Sequence, residues 1–516
     1  MDRNIPLAGV TTDHRELKRK NIVTLAMAEE LDVLILGAGI SGINAAYRVR
    51  TELPDSTFAV LEARDIVGGT WSYWKYPGFR SDSNMTNFGF GWHPWPHDKK
   101  IIEGGPIAAY IEDAVKTHHI DDHIRFRHKV LASNWDSDEA RWTLDCDTPQ
   151  GPKKFKAKFL FVCSGYYSYD KALETKIPGI ENFGGKVIHP QWWPEDLDYA
   201  GKRVVIIGSG ATTMTLFPNI AKTAGFTTIL QRSPSYVFAL SPESTADKTA
   251  KKLLPLFLAN WFILLKDLLL ETIFIQIVLG FPGLAKQFLR AEAKRQLPRD
   301  YPVDVHFKPK YNPFEQRLNM CPDGDVFKTL HQPNTEIVTD HIDTITKDGI
   351  RTKSGRQLPA DIIITATGLH VQLFGGTEVT VDGVPVKIGE KYSWRGCMLD
   401  GVPNAAAIIG YVTQTWTPGA DTVSRLFIRV IKEVQKTGAV AATPVLSDEE
   451  KRNSPRLPCV DATSNYFSRA HGRMPVVTNQ GPWYGRKNLI VDKLALWFGS
   501  VTVGMDYRLA TKSKDI

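Results

Sequence analysis

The sequence predicts an α/β fold made of two Rossmann-like units, and three features carry that expectation. Leu31 to Leu36 is an apolar run that enters Gly37-Ala38-Gly39-Ile40-Ser41-Gly42, after which Ile43 to Val49 continues with helical spacing. Lys202 to Ile207 repeats the pattern and enters Gly208-Ser209-Gly210-Ala211-Thr212-Thr213. The chain is 516 residues long, beyond the size at which one hydrophobic core usually stops growing, so two or three domains are expected.

Residues 1–30 are polar and charged, lack the apolar core and cleavage site of a secretory signal, and read as an extension before the first strand. Together with five scattered cysteines that form no metal or disulfide pattern, they imply a cytoplasmic, reducing setting. In the first glycine turn Gly37 permits the tight bend, Gly39 lets a diphosphate approach the backbone, and Gly42 lets helix pack on strand. The next strand, Thr57 to Leu61, ends in Glu62, where a carboxylate would accept ribose hydroxyls. Then come Gly68-Gly69-Thr70-Trp71-Ser72-Tyr73 and Tyr76-Pro77-Gly78-Phe79-Arg80-Ser81-Asp82-Ser83, too rich in aromatic and turn residues for a plain connection.

In the second unit Thr213 stands where Gly or Ala is usual, so helix and strand are expected to separate slightly there. Thr227 to Leu230 ends in Gln231-Arg232-Ser233-Pro234 rather than in an acid. An Arg there neutralises a 2′-phosphate that an acid would repel, which favours NADPH over NADH. Two dinucleotide turns in one chain imply an electron relay from one cofactor to the other.

A helical insertion is expected at about 245–300. Apolar residues dominate Leu253 to Leu289, but Lys266, Asp267 and Glu271 interrupt every window long enough to span a bilayer. Three readings stay open: buried helices, a lid over an apolar substrate channel, or weak membrane-surface contact aided by the flanking Lys251, Lys252, Lys286 and Arg290. The net charge of +7 is modest and its basic residues are scattered, so no nucleic-acid partner is expected.

Phe183 to Pro194 fits the pattern F-x-G-x-x-x-H-x-x-x-W-P at Phe183, Gly185, His189, Trp193 and Pro194. With the G-G-T-W and Y-P-G-x-R-x-D segments, the chain resembles type I Baeyer-Villiger monooxygenases, which are class B flavoprotein monooxygenases. The R-S-D-S form at Arg80 to Ser83 is closest to the branch of the thioamide-prodrug-activating monooxygenase. The resemblance implies an FAD domain at 31–165 and 366–516 enclosing an NADP domain at 201–365, with 166–200 as a linker that carries the fingerprint. Phe161 to Gly165 and Asp361 to Gly368 would be the two crossings.

By the same resemblance Ser41, Glu62, Thr70, Trp71, Ser72, Tyr73 and Asp82 contact FAD, and the Val130 backbone pairs with adenine. Arg80, Ser81, Gly208, Ser209, Gly210, Ala211, Thr212, Arg232 and Ser233 fall to NADP. Arg317, in the segment His306 to Leu318, is the implied catalytic arginine, oriented by Asp82. His189 reads as a hinge residue and Trp193 as packing, while Tyr411 to Trp416 resembles a stretch near the flavin and substrate pocket. The implied activity inserts one oxygen atom of O2 into a hydrophobic ketone, through a C4a-peroxyflavin, to give an ester or lactone. Oxygenation of a soft sulfur or nitrogen by the same route is the alternative, and a non-oxygenating NADPH oxidase is a minor one.

Overall fold

The two largest sheets among the described residues each hold a central strand that runs into one of the glycine turns; the computed structural model describes residues 28–411, 414–460, 465–486 and 488–510. The first sheet starts with β1 (Glu29–Leu36), the turn, α1 (Ile40–Glu52) and β2 (Phe58–Leu61), with β1 and β2 parallel. A meander follows, β3 (Lys129–Asp136), β4 (Arg141–Asp147) and β5 (Lys153–Val162), and β5 returns parallel to β1 with Leu36 opposite Val162. Along this part the order is β3-β4-β5-β1-β2. Val33, Leu34 and Ile35 are fully buried, as expected of a central strand covered on both faces, which is why the run shows no polar alternation.

The second sheet takes β6 (Lys186–Ile188), β7 (Arg203–Ile207) with α2 (Ala211–Ile220), and β8 (Phe226–Gln231). The insertion then supplies α3 (Thr245–Leu253), α4 (Leu256–Gly280) and α5 (Pro282–Gln296). Strands β9 (Thr335–Thr339) and β10 (Ile362–Thr365) complete an all-parallel sheet in the order β9-β8-β7-β10-β6. The outgoing strand Tyr167–Ala172 pairs antiparallel with the returning strand Leu369–Val371, so the two crossings form one ribbon between the sheets. Beyond it, β11 (Ala405–Ala407) joins β5, and α6 (Trp416–Thr437) shares a core with α1.

Three details differ from the sequence reading. Strand β1 begins at Glu29, inside the stretch read as extension, because Glu29 pairs with Phe155 and its carboxylate holds Lys153 at 2.7 Å. The stretch read as a linker contributes β6, and Gly185 is needed there because a Cβ would lie 2.3 Å from the Asp361 carbonyl at the start of the neighbouring strand. The insertion does not consist of buried helices: α4 buries one narrow stripe and exposes the rest of its apolar surface. No helix among the described residues is long and apolar enough to cross a membrane. Residues 1–27 of the extension, and Val412 and Thr413 of the Tyr411 to Trp416 stretch, lie outside the described residues.

Candidate functional site

The first glycine turn and the start of the helix that follows the second open onto one cavity of about 860 Å³, within the size range of cofactor and ligand sites. In the first turn Gly37 has φ +98°, and a Cβ on Gly42 would lie 1.8 Å from the Gly37 carbonyl oxygen, so α1 begins directly against the strand end. It starts at Gly39 without a side-chain cap, and Gly39, Ile40 and Ser41 line the cavity. The positive end of the helix therefore faces the space. Glu62, buried at the end of β2, accepts the Ala38 amide at 2.8 Å and the Arg64 amide at 2.9 Å.

The aromatic stretch closes this side of the cavity. Thr70 Oγ1 and the Tyr167 hydroxyl are 2.7 Å apart, the Tyr73 hydroxyl donates to the Tyr169 carbonyl, and Trp71 stacks on Phe79 at 5.2 Å. Ser72 lies outside the cavity lining and accepts Arg64 Nη2 at 2.9 Å. Ser41 Oγ accepts from Trp416 Nε1 at 2.9 Å, joining α1 to α6 across the cavity wall. Val130 lines the far end next to a bulge in β3, and its carbonyl accepts Thr377 Oγ1 at 3.3 Å. Burial pushes the Tyr166 and Tyr167 phenols above their ordinary values and that of Tyr169 up to about 12, so these groups stay neutral near pH 7.

On the other side, α2 starts at Gly210, again without a side-chain cap, and Ala211, Thr212 and Thr215 reach the lining. Gly208, Ser209 and Gly210 stand just behind it; Ser209 Oγ lies 3.1 Å from Ser235 Oγ. Thr213 is fully buried opposite Gly208, where a Cβ would lie 2.8 Å from its Oγ1. The missing side chain at Gly208 is thus what accommodates the larger residue. Arg232 and Ser233 follow β8 on the surface, exposed and outside the cavity lining.

The charged corner of the cavity joins residues far apart in the chain. Arg317 Nε lies 3.3 Å from Asp82 Oδ2, with the Arg317 side chain half exposed and Asp82 nearly buried. Arg317 follows a turn in which Asn312 and Glu315 hydrogen-bond each other and Phe314 takes a left-handed φ of +70°. That costly backbone conformation, with the buried Leu318 just after it, fixes where the guanidinium emerges. Arg80 is spent on Asp325 through two contacts of 2.5 and 3.4 Å, while Ser81 is buried and bonds within the turn to Ser83. Burial is the largest influence on Asp82 and raises its pKa; Arg317 and Arg80 pull it back.

A family model described as flavin-binding monooxygenase-like matches residues 31–246. The FAD-containing monooxygenase EthA of Mycolicibacterium smegmatis is 42% identical over 467 residues, covering 90% of this chain and 94% of its own length. The chain belongs to the flavin-binding monooxygenase-like family. EthA of Mycobacterium tuberculosis (strain H37Rv) is 40% identical over 469 residues, 90% of this chain and 95% of its own. Among solved structures, cyclohexanone monooxygenase from Rhodococcus sp. Phi1 bound to NADP+ superposes with a TM-score of 0.74 at 20% identity, over 94% of this chain and all of that one. Oxidized steroid monooxygenase bound to NADP gives 0.73 at 20%, over 93% and 100%. The chain is a flavin monooxygenase of the EthA branch, with the fold of the Baeyer-Villiger enzymes.

In this flavin monooxygenase the fingerprint residues stand behind the cavity. Phe183 packs under the second sheet, Trp193 is buried in its core, and Trp192 reaches the cavity instead. His189 Nδ1 accepts the Gln191 amide at 3.1 Å, and its buried Nε2 has no hydrogen-bond partner among the described residues. Burial holds the imidazole below its ordinary pKa, which leaves it neutral at pH 7 and disfavours a proton-carrying role. Gln191 donates to the Ser168 and Tyr169 carbonyls at 2.9 and 2.8 Å, clamping the fingerprint to the crossing ribbon.

Sequence reasoning missed several residues that line or brace the site. Arg64 lies over the Tyr73 and Tyr169 rings at 5.8 and 5.6 Å, and its place two residues after Glu62 is a signal that was legible. Tyr166, Tyr167 and Tyr169 follow the first crossing as a visible aromatic run. Asp325, which holds Arg80 from 245 residues away, left no local trace.

Proposed function

We propose that FAD lies along the first glycine turn and NADPH along the second, and that the chain inserts one oxygen atom of O2 into a hydrophobic ketone to give an ester or lactone. The observation that carries this reading is Arg317, held by Asp82 at 3.3 Å on the wall of a cavity that the N-termini of α1 and α2 both reach. The residues present fit two dinucleotides: two uncapped helix N-termini for the diphosphates, Glu62 for a ribose and aromatic walls for flat rings. Buried Ser164 Oγ, on the same wall, has no partner among the described residues, as suits a polar ligand beside it. On this reading the FAD part is 31–165 with 366–516 and the NADP part is 201–365.

When bound, NADPH supplies a hydride and reduced FAD supplies the electrons that activate O2. Arg317 places a fixed cation where negative charge develops on the ketone oxygen, and Asp82 orients that guanidinium. The neutral buried tyrosines present no competing charge and help keep water out. His189 and Gln191 act through position, tying the fingerprint to the ribbon on which the two sheets would hinge. The test gives holoenzyme, NADPH and air a long-chain 2-ketone in one vessel and a thioether of equal length in another. Ester formation supports the reading. Sulfoxide alone moves the assignment to soft heteroatoms, and hydrogen peroxide alone leaves an oxidase.

Arg232 and Ser233, exposed just beyond β8, would take the 2′-phosphate. Removal of Arg232 as Arg232→Ala should raise KM for NADPH about 10- to 100-fold, the worth of a charge-assisted contact, and leave KM for NADH nearly unchanged. Equal effects on both cofactors would remove Arg232 from that role.

Asp82 must be ionised to hold Arg317, and its raised pKa places the acid limb of kcat/KM above the usual carboxylate value of 3.8. Asp82→Asn should abolish that limb and lower turnover about tenfold or more. The sign for stability is opposite to that of an ordinary paired carboxylate. The unfolded Asp ionises first as pH rises, so the fold loses stability between the ordinary pKa and the raised one. An acid limb that persists unchanged in Asp82→Asn would assign it to another group.

A further inference from the structure

Helix α4 is built inside out relative to an ordinary surface helix. Its buried positions, Ala259, Ile263, Asp267, Ile275 and Val278, recur at spacings that keep one stripe, and Glu271 lies within that stripe. The charged residues of the helix turn inward. Asp267 meets Lys100 at 2.6 Å and Lys266 at 3.1 Å, and Glu271 takes hydrogen bonds from Asn87 Nδ2 and the Thr415 amide at 2.8 and 2.9 Å. Every exposed position on α4 except Gln276 and Gly280 is a large hydrophobe. Phe257 is 66% exposed and Trp261 70%.

We propose that the outer face of α4 binds the surface of an anionic lipid bilayer, with the helix lying in the membrane plane. Two observations select lipid over a protein partner. The exposed apolar arc covers roughly 200° of the helix at 3.6 residues per turn, and a flat protein face covers at most about half a circumference. A fluid acyl layer covers whatever protrudes into it. The flanks are basic: Lys251 and Lys252 end α3, and Lys286, Arg290 and Lys294 lie along α5; Asp98 offsets Lys251 at 2.7 Å and Asp304 offsets Arg290 at 2.5 Å, which leaves Lys252, Lys286 and Lys294 as the excess, whereas Asp247 of α3 is buried against Lys266 and Lys100. An apolar face bordered by Lys and Arg is the pattern of an in-plane membrane helix. The helix is about 37 Å long at 1.5 Å per residue, and its inward charges suit it to lie on a membrane rather than span it.

The inner stripe is tied to the cavity wall. Asp267 accepts Asn84 Nδ2 at 2.7 Å next to Ser83, and Glu271 holds Thr415 between Gln414 and Trp416; Ser83, Gln414 and Trp416 all line the cavity. The bilayer-facing helix is thereby the outer support of the site, an arrangement suited to substrates dissolved in lipid. That last consequence rests on the proposed function; the docking itself does not.

The experiment is vesicle co-sedimentation of the full-length, flavin-loaded chain. Vesicles of phosphatidylcholine with phosphatidylglycerol are compared with phosphatidylcholine alone, for wild type and for Trp261→Glu with Leu265→Glu. The expected result is binding to the anionic vesicles, weakened by salt and by omission of phosphatidylglycerol, and a partition at least about tenfold lower in the double variant. The bound-flavin absorbance spectrum and melting temperature serve as the folding control and should not change. Light scattering on the same samples identifies the competing occupant. A wild-type dimer that the double variant converts to monomer, without vesicle binding by either protein, would assign the face to a second copy and overturn the proposal. So would equal binding by wild type and variant, or no binding to either vesicle.

Discussion

Replacing Arg317 with Ala is expected to lower oxygenated product by about 100-fold or more, while NADPH consumption continues and its electrons leave as hydrogen peroxide. The direction follows from the placement of the charge. The guanidinium stands on the cavity wall with Asp82 Oδ2 3.3 Å from its Nε, and the role proposed for it lies in the oxygenation step rather than in hydride delivery. Removing one fixed donor from a developing oxyanion typically costs a factor of about 100 to 1,000. Here the side chain is half exposed, so solvent screens part of its charge and the lower end of that range is expected. Arg317→Lys should recover part of the loss, since it restores a cation but not the planar fork that Asp82 can orient. The measurement is the ratio of product formed to NADPH oxidised, with peroxide assayed in parallel. Coupling that stays within about threefold of wild type in Arg317→Ala would take the oxygenation step away from this residue.

The parts of this site that the sequence announces are the parts built from neighbours in the chain. Strand, glycine turn and helix follow one another within about twenty residues in each unit, so both turns and Glu62 stand as the spacing implies. Arg317 was legible only through its segment. What places it beside Asp82 is the packing of a strained turn against a loop 235 residues earlier in the chain, and no local pattern records that. Strand β6 is three residues long and held by β10, which arrives much later, so the fingerprint resembled a linker. Helix α4 shows a different limit. Charges in an apolar helix are ordinarily assigned to the solvent side, and only the contacts of Asp267 and Glu271 reveal that they face the protein. Composition gave the insertion its greasy character but could not orient it.

Gly42→Ala should strongly destabilise the first unit, and Gly39→Ala, three residues away, should separate folding from cofactor binding. At Gly42 the added carbon would sit 1.8 Å from the Gly37 carbonyl oxygen, with Cys163 Cβ at 3.4 Å on the other side. Neither contact is the loose end of a flexible side chain, so relief requires moving α1 away from β1. The expected loss is at or above about 3 kcal/mol, the upper part of the range for overpacked cores. At Gly39 the backbone has an ordinary φ of −77°, and the added carbon meets Gly69 Cα at 3.4 Å, a normal contact. That variant should melt close to wild type. Its methyl nonetheless stands beside the N-terminus of α1 on the cavity wall, where a diphosphate would approach the backbone, so its flavin affinity should fall by about tenfold or more. Thermal unfolding of the apoprotein and a flavin fluorescence titration measure the two effects separately. If Gly42→Ala melts like wild type, the close approach of helix and strand is not holding the fold. If Gly39→Ala binds flavin at full strength, the first turn is not where the diphosphate rests.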